Sequence, residues 1–269
     1  MKNKSEQLVQ IFKDAETSLM KLSPLNKRQI AKNFQWSKEI DTADINWEKF
    51  YEILMFVTFY SGFKAETVNR KYDDLKKALG RLHLVANFDK AKIKAIEKNP
   101  KLIRHPQKIK ACVSNAQKIL KLKDQYGTLQ SYLAVFGDLK KQSNLNRLSA
   151  DLIKRFTYIG NITVSHLLAD IGLNTVKPDR VLCRIFYRLG LVKSVKDYAG
   201  VIEIGQRIKA ATGHSIRYVD LIFVLYGQVG YKYELDIEDG ICLEKKPKCH
   251  LCLMCRYCKY YKEKKECYK

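Results

Sequence analysis

Four cysteines close to the C-terminal end of the chain have the spacing of a metal-binding loop. Cys242, Cys249, Cys252 and Cys258 follow the pattern C-x6-C-x2-C-x5-C. Thiolates so close together along the chain can converge on one centre, and sulfur ligands select iron–sulfur clusters, zinc or copper(I). The spacing therefore predicts a metal-bound loop at residues 242–258.

The spacing alone leaves the occupant of this loop open between an iron–sulfur cluster and zinc. A cluster is favoured because structural zinc sites usually pair two C-x2-C or C-x4-C half-sites, whereas here single thiols flank one C-x2-C at unequal distances. Cys255 and Cys267 are alternative ligands, while Cys112 and Cys183 occur in helical patterns as ordinary core residues. Disulfides are disfavoured because the polar N-terminal sequence has no apolar segment of a secretory signal, which predicts a cytoplasmic protein.

A second pattern, in residues 149–172, predicts a helix–hairpin–helix. A helix over 149–156 is followed by a tight turn at 157–161 and by a helix over 162–171 that ends at Gly172. At the start of the second helix of such a hairpin, the unpaired N–H groups and the helix dipole attract a phosphate without reading a base. A single glycine in the turn, here Gly160, is also typical of an ordinary connection between two helices.

The third pattern is the segment K-P-D-R-V-L-C-R-I-F-Y-R at residues 177–188. It places one carboxylate, Asp179, directly before a helical pattern that carries Arg184 and Arg188. By itself, an aspartate after a proline is typical of a helix N-cap. A carboxylate at this position can also serve in chemistry, and one residue can have both roles.

The net charge predicts a polyanionic partner. The chain has 50 Lys and Arg residues against 28 Asp and Glu residues, a formal charge of +22. Because the basic residues are spread along the whole chain, the positive field belongs to a folded body and favours phosphate-bearing partners. The longest apolar run, 221–226, is far shorter than the roughly twenty residues that span a bilayer, so no membrane partner is expected.

The elements that must position these residues are helices. Apolar residues recur at intervals of three and four along nearly all of the chain, which predicts amphipathic helices and an all-α fold. Glycine, proline and asparagine punctuate the pattern where short connections are needed. A chain of 269 residues, 46% of them hydrophobic, can form one large domain or two small ones.

The cysteine loop closely resembles the [4Fe–4S] loop of the endonuclease III and adenine glycosylase family, within the helix–hairpin–helix superfamily of DNA glycosylases. Residues 179–188 match the D-x-x-h-x-R-h-x-x-R helix of that family, where h is apolar, and the motifs occur in the same order. The resemblance implies a helical barrel domain over 45–172 that includes the hairpin. It also implies a helical iron–sulfur domain formed by 1–44 and 173–269, in a monomer that binds duplex DNA without a nucleotide cofactor.

The resemblance assigns the reaction to Asp179, which stands where that family has its catalytic aspartate. Cleavage of an N-glycosidic bond builds oxocarbenium-like charge on the sugar, which a fixed carboxylate stabilises while it orients water. Bifunctional members have a nucleophilic lysine just after the last hairpin glycine, but here Gly160 is followed by Asn161, Ile162 and Thr163. The resemblance therefore implies a monofunctional glycosylase that leaves an abasic site.

Residues 50–62, 99–116 and 126–127 resemble 3-methyladenine DNA glycosylase I of the same superfamily. Val57 stands where that family has a glutamate that meets the flipped base, so alkylated purine is one candidate substrate among several. Uracil, oxidised purines, mismatched thymine and modified bases of foreign DNA are the others. Arg104 and His105 lie in a segment that matches the superfamily's wedge loop, which fills the gap left by a flipped nucleotide, although a solvated pair facing phosphate has the same composition.

These resemblances imply two sets of contacts. The predicted DNA contacts are Tyr158, which replaces the first glycine of the family's G-x-G turn, Gly160, Asn161, Thr163, Arg104, His105 and Arg180. The predicted base contacts are Tyr60, Ser61 and Phe63, although aromatic residues at helical spacing are more often core. Two other functions stay open: a noncatalytic DNA-binding or regulatory protein with a structural metal, and a glycosylase with lyase activity through an unidentified lysine.

Overall fold

The computed structural model describes residues 2–230 and 234–264. Helices account for 68% of the structure and the described residues contain no strand, which confirms the predicted all-α fold. The helices are α1 (Lys2–Leu22), α2 (Lys27–Glu39), α3 (Trp47–Tyr60), α4 (Ala65–Asn69), α5 (Tyr72–Leu79), α6 (Leu82–Ala86), α7 (Lys90–Lys98), α8 (Pro106–Tyr126), α9 (Leu129–Ala134), α10 (Gln142–Arg155), α11 (Asn161–Asp170), α12 (Arg180–Arg188), α13 (Tyr198–Thr212), α14 (Ile216–Gly227) and α15 (Lys259–Lys264).

The chain divides into two compact units, one over 41–173 and one formed by 1–40 with 174–269. The first unit begins four residues before the expected position 45 and ends one residue after 172. Helices α3 to α11 belong to the unit 41–173, and the remaining helices belong to the other.

The unit 41–173 is built around α3 and α8. Helix α3 begins after Asn46, whose side chain accepts a hydrogen bond from Lys49 N at 2.9 Å, and most of its residues are buried. The indole of Trp47 donates to Gly127 O at 3.0 Å, where α8 ends with a positive φ of 69° that suits glycine. These contacts fix the start of α3 against the end of α8.

The hairpin lies in this unit between α10 and α11. The prediction that its first helix begins at 149 is wrong, because α10 begins at Gln142. Leu145, Leu148 and Leu152 are all buried, so the apolar stripe of the helix extends about one turn further towards the N-terminus than the sequence pattern suggested. The polar residues between these leucines obscure the stripe in the sequence.

The unit formed by 1–40 and 174–269 has a core of aromatic rings. Phe223 on α14 contacts Phe12 on α1 and Phe186 on α12, with ring centroids 6.1 and 5.0 Å apart in edge-to-face geometry. Helix α14 contains the longest apolar run, and all of that run except Val224 is buried. No helix in the described part of the chain has both the length and the apolar character to cross a membrane.

Candidate functional site

Helix α8 anchors the hairpin through a buried asparagine. The side chain of Asn115 is 1% exposed, and it makes two hydrogen bonds to the backbone of Thr157. Its Nδ2 donates to the carbonyl of Thr157 at 3.0 Å, and its Oδ1 accepts from the N–H at 2.9 Å. Lys118 on the same helix donates to the carbonyl of Arg155 at 2.7 Å. The end of α10 and the start of the turn are therefore fixed by side chains of α8.

Tyr158 adopts the conformation that a glycine would be expected to supply. Its φ is +66°, in the left-handed region, which costs a residue with a Cβ on the order of 1 kcal/mol. Its hydroxyl donates to Oε1 of Gln107 at 3.0 Å, and its ring packs edge-on against His105 at 6.1 Å. Tyr158 stands at the place of the first glycine in the G-x-G turn of the family that the chain resembles, and its backbone there is left-handed.

The second part of the turn determines which donors remain for a ligand. The N–H of Gly160 donates to Oγ1 of Thr163 at 2.6 Å, so it is directed into the turn. Val164 N donates to Gly160 O at 2.8 Å, and this is the first helical hydrogen bond of α11. The N–H groups of the first turn, those of Asn161, Ile162 and Thr163, have no intrahelical acceptor in an α-helix. N–H groups at the start of a helix attract anions, so these three are the candidate anion-binding end of the hairpin.

The predicted wedge residues precede α8. His105 caps this helix, because its Nδ1 accepts from Lys108 N at 3.3 Å, and its ring packs edge-on against Phe63 at 5.9 Å. His105 is half-buried, whereas Arg104 is exposed. The histidine is thus part of the helix cap, and the arginine extends into solvent.

The predicted base contacts lie at the end of α3 and directly after it. The hydroxyl of Tyr60 donates to Oδ1 of Asn69 at 2.5 Å, and the carbonyl of Ser61 accepts a hydrogen bond from α8. Phe56 and Phe59 of the same helix are buried, and Phe56 stacks on Tyr72 at 4.1 Å. Tyr60, Ser61 and Phe63 remain half-buried at the C-terminal end of α3.

Asp179 lies in the other unit, where it caps α12. Its Oδ1 accepts hydrogen bonds from Val181 N at 2.8 Å and Leu182 N at 3.1 Å. Its Oδ2 lies outside the cap, 3.8 Å from Nζ of Lys177, and the Asp179 side chain is 22% exposed. One oxygen therefore holds the helix, while the other lies outside the cap. Arg180, the next residue, is exposed at the first position of α12.

A second aspartate fixes the approach to this cap. Asp220 on α14 is 1% exposed; its Oδ1 accepts from Lys177 N at 3.0 Å and its Oδ2 lies 2.6 Å from Arg217 Nη1. The backbone two residues before Asp179 is therefore attached to a buried carboxylate. Sequence patterns did not single out Asp220 or Asn115, although each is a polar residue within an apolar helical run, which is the signal of a buried hydrogen-bonding side chain.

The cysteine loop surrounds a small cavity that opens to solvent. Its lining includes all four predicted ligands and a fifth thiol, that of Cys255. Burial raises the pKa of Cys252 to about 12, and burial together with neighbouring thiolates raises the pKa of Cys249 and of Cys258. Bound metal favours the deprotonated thiolate, and a set of thiols around one cavity is a donor set that suits a metal group.

The described residues contain no group of three Cys, His, Asp or Glu side chains placed to hold a single metal ion. A tetrahedral zinc with bonds of about 2.3 Å to sulfur would need its ligands within about 4 Å of one another. This limit does not apply to an iron–sulfur cluster, in which the cysteines bind different iron atoms. Cys267 lies outside the described residues, while Cys112 and Cys183 are buried in the two cores as predicted.

Arg188 on α12 binds the first segment of the cysteine loop. Its Nη1 donates to Cys242 Sγ at 3.3 Å and to Leu243 O at 2.7 Å, and its guanidinium lies 4.3 Å from the ring centroid of Tyr260. Arg184 on the same face donates to Cys242 O at 3.2 Å. Both arginines of the predicted motif therefore hold the first segment of the cysteine loop.

The helical fold, the hairpin and the carboxylate that caps α12 define the class of protein as the helical DNA glycosylases. Within that class, a family model for methyladenine glycosylases matches residues 32–184, more than half of the chain. The chain belongs to the methyladenine glycosylase family, and its general function is base excision from DNA. The match is broader than the resemblance at 50–62, 99–116 and 126–127, and it includes the hairpin and Asp179 but ends before the cysteine loop.

Three solved structures are similar to this chain, and the first of them has the same fold. The 8-oxoguanine glycosylase/lyase of Methanocaldococcus jannaschii, in complex with a 15mer DNA containing 8-oxoguanine, is 20% identical over 80% of this chain and 95% of its own, with a TM-score of 0.53. The 8-oxoguanine DNA glycosylase of Thermotoga maritima is 20% identical over 83% and 95% of the two chains, with a TM-score of 0.45. The 3-methyladenine DNA glycosylase I of Staphylococcus aureus is 19% identical over 55% and 87%, with a TM-score of 0.44.

Proposed function

We propose that the protein is a monofunctional DNA glycosylase that acts on a base flipped out of duplex DNA and leaves an abasic site. The observation that carries this proposal is the placement of Asp179, which caps α12 through one oxygen and leaves the other outside the cap. Family membership, the charge of +22 and the anion-binding end of the hairpin support duplex DNA as the partner.

In the proposed reaction the Asp179 carboxylate stabilises positive charge on the sugar as the bond to the base breaks. Its Oδ2 also orients the water that attacks the sugar. The cap supplies preorganisation, because Val181 N and Leu182 N fix the carboxylate before the substrate binds. The hairpin N–H groups hold a backbone phosphate, and Arg104 fills the space that the flipped nucleotide leaves.

The absence of a lysine after Gly160 supports hydrolysis without a Schiff base. The depressed pKa of Lys108 does not make it an alternative nucleophile, because its ammonium is buried and donates to two carbonyls. Nζ of Lys177 lies 3.8 Å from the Asp179 carboxylate. Borohydride trapping of a covalent protein–DNA adduct tests whether Lys177 acts as a nucleophile. A trapped adduct that disappears in Lys177→Ala would replace the monofunctional proposal with a lyase.

The test of the reaction compares two helix caps. Asp179→Asn is expected to lower single-turnover base release at least about 100-fold while duplex affinity is kept, because asparagine preserves the cap but not the charge. Asp197→Asn is the matched control, since Asp197 caps α13 in the same way through Gly200 N at 3.1 Å. Full activity of Asp179→Asn would contradict the assignment of the reaction to Asp179. A native protein that binds duplex DNA but releases no base from any of the duplexes described below would favour the noncatalytic DNA-binding alternative.

The base is identified with duplexes that each carry one lesion, treated with alkali to cleave abasic sites. Alkylated purines are the first substrates to test, because the family match supports them. Val57 is fully buried where the resemblance expects a glutamate, so we expect weaker polar recognition of the base at this position than in that family. Duplexes with 8-oxoguanine, uracil and mismatched thymine complete the panel.

We propose that the cysteine cavity holds a [4Fe–4S] cluster on Cys242, Cys249, Cys252 and Cys258, with zinc as the alternative. The group would be structural and would fix the loop that carries exposed Lys245 and Lys246 for contact with phosphate. Anaerobically purified protein is expected to show broad visible absorption and to contain iron and sulfide; zinc without iron would contradict the cluster. Cys258→Ser should lose the absorption, whereas the control Cys255→Ser should keep it.

A further inference from the structure

Lys108 is a buried lysine whose ammonium lies at the C-terminal end of α3. The residue is 3% exposed, and its Nζ donates to Thr58 O at 2.5 Å and to Ser61 O at 2.6 Å. The last carbonyls of a helix lack intrahelical donors and carry the negative end of its dipole, so a cation there satisfies both. Lys108 thereby ties α8 to the end of α3.

Aromatic rings enclose the rest of this ammonium. Its Nζ lies 4.4 Å from the ring centroid of Tyr158 and 5.6 Å from that of Phe63. The ring of His105 packs edge-on against both of these rings. We call Phe63, His105, Lys108 and Tyr158 the hairpin cage.

The cage acts on the residue of the turn that has the least favourable backbone conformation. Tyr158 is the left-handed residue two positions before Gly160, and its hydroxyl also donates to Gln107. A cation over a ring face attracts it, and the attraction grows when the cation is removed from water. Contact with the buried ammonium of Lys108 therefore favours the side-chain position that accompanies the left-handed backbone.

We propose that Lys108 is a positioning residue which, through the ring of Tyr158, holds the hairpin in the conformation that presents the first N–H groups of α11 to a DNA phosphate. The proposal rests on the proposed function for its ligand, the duplex, but its structural part concerns the free protein. It assigns to Lys108 and Tyr158 together the conformational role that the first glycine has in a G-x-G turn.

The experiment is a double-mutant cycle of Lys108→Met and Tyr158→Gly, with Lys110→Met as the control. Lys110 lies on the same helix, but its side chain is 65% exposed and 3.9 Å from Glu97. Two quantities are measured: hydrogen exchange of the amides of 157–163 in the DNA-free protein, and affinity at fixed salt for a duplex with a tetrahydrofuran abasic analogue.

Lys108→Met is expected to speed exchange of the turn amides and to weaken duplex binding about tenfold, because the cation–π contact and both carbonyl bonds are lost. In the Tyr158→Gly background the same substitution should change affinity much less, because glycine adopts positive φ without side-chain support. Lys110→Met should leave exchange of the turn unchanged. Equal effects of Lys108→Met in both backgrounds, or unchanged exchange of the turn, would overturn the proposal.

A second pair of variants covers the case in which Lys108→Met does not fold. Tyr158→Phe keeps the ring face and should keep the exchange rates close to those of the native turn, whereas Tyr158→Leu removes the face and should raise them. Equal rates in Tyr158→Phe and Tyr158→Leu would refute the role of the ring. If the native protein does not bind the duplex, the proposed function fails, but the exchange data still decide the proposal on the turn.

Discussion

At the scale of single residues, the site depends on polar groups that satisfy two partners at once. Oδ1 of Asp179 accepts the hydrogen bonds that cap α12, and its Oδ2 lies outside the cap. The side-chain amide of Asn115 accepts from the N–H of Thr157 and donates to the carbonyl of the same residue. Such groups are positioned before any ligand binds, since the structural partner is always present. Preorganisation of this kind is what electrostatic catalysis and phosphate binding require.

The buried ammonium of Lys108 predicts a pH dependence of stability. Burial lowers the pKa of Lys108 from 10.5 to about 8, so between these values the unfolded chain holds more protons than the folded one. The free energy of unfolding therefore gains about 3 kcal/mol from this residue as the pH rises from about 8 to about 10.5. Urea unfolding of the native protein and of Lys108→Met over this range isolates the effect. A difference between the two proteins that does not change with pH would contradict the shift.

At the scale of elements, α8 is the helix that organises the unit 41–173. Its first turn carries Lys108 of the hairpin cage, its middle carries Asn115, and Lys118 reaches the end of α10. The sequence predicts α8 well, because its apolar residues recur at three and four and Gly127 ends it. The start of α10 was misplaced, because polar residues dilute the leucine stripe before position 149.

Asn115→Leu tests the attachment of the turn to α8. The substitution keeps the size of the side chain but leaves the N–H and the carbonyl of Thr157 without their partners, so we expect a loss of about 2 kcal/mol of unfolding free energy and faster exchange at 157–160. Gln117→Leu is the matched control, since Gln117 makes one hydrogen bond from the same helix to Ala86 O at 3.0 Å. Equal exchange of the turn in the two variants would show that Asn115 does not hold it.

At the scale of the whole molecule, the excess of basic residues acts together with a few precise contacts. A charge of +22 attracts a polyanion over many ångströms but selects no position along it. Some cations have internal partners: Arg256 Nη2 lies 2.6 Å from Oδ2 of Asp14, and Arg188 holds the cysteine loop. The positive field is therefore larger than the set of side chains that are available to phosphate.

The helical class and the order of the motifs follow from the sequence, which also singles out the cysteine loop and Asp179 as candidates, because helix periodicity and ligand spacing are local properties of a chain. Only the tertiary structure decided the positive φ of Tyr158, the burial of Lys108 and the single carboxylate oxygen that Asp179 keeps outside its cap. In the sequence Lys108 is one lysine among many on a basic helix. Its environment depends on carbonyls of α3 and a ring of the hairpin, about 50 residues away in either direction, and only folding brings these groups together.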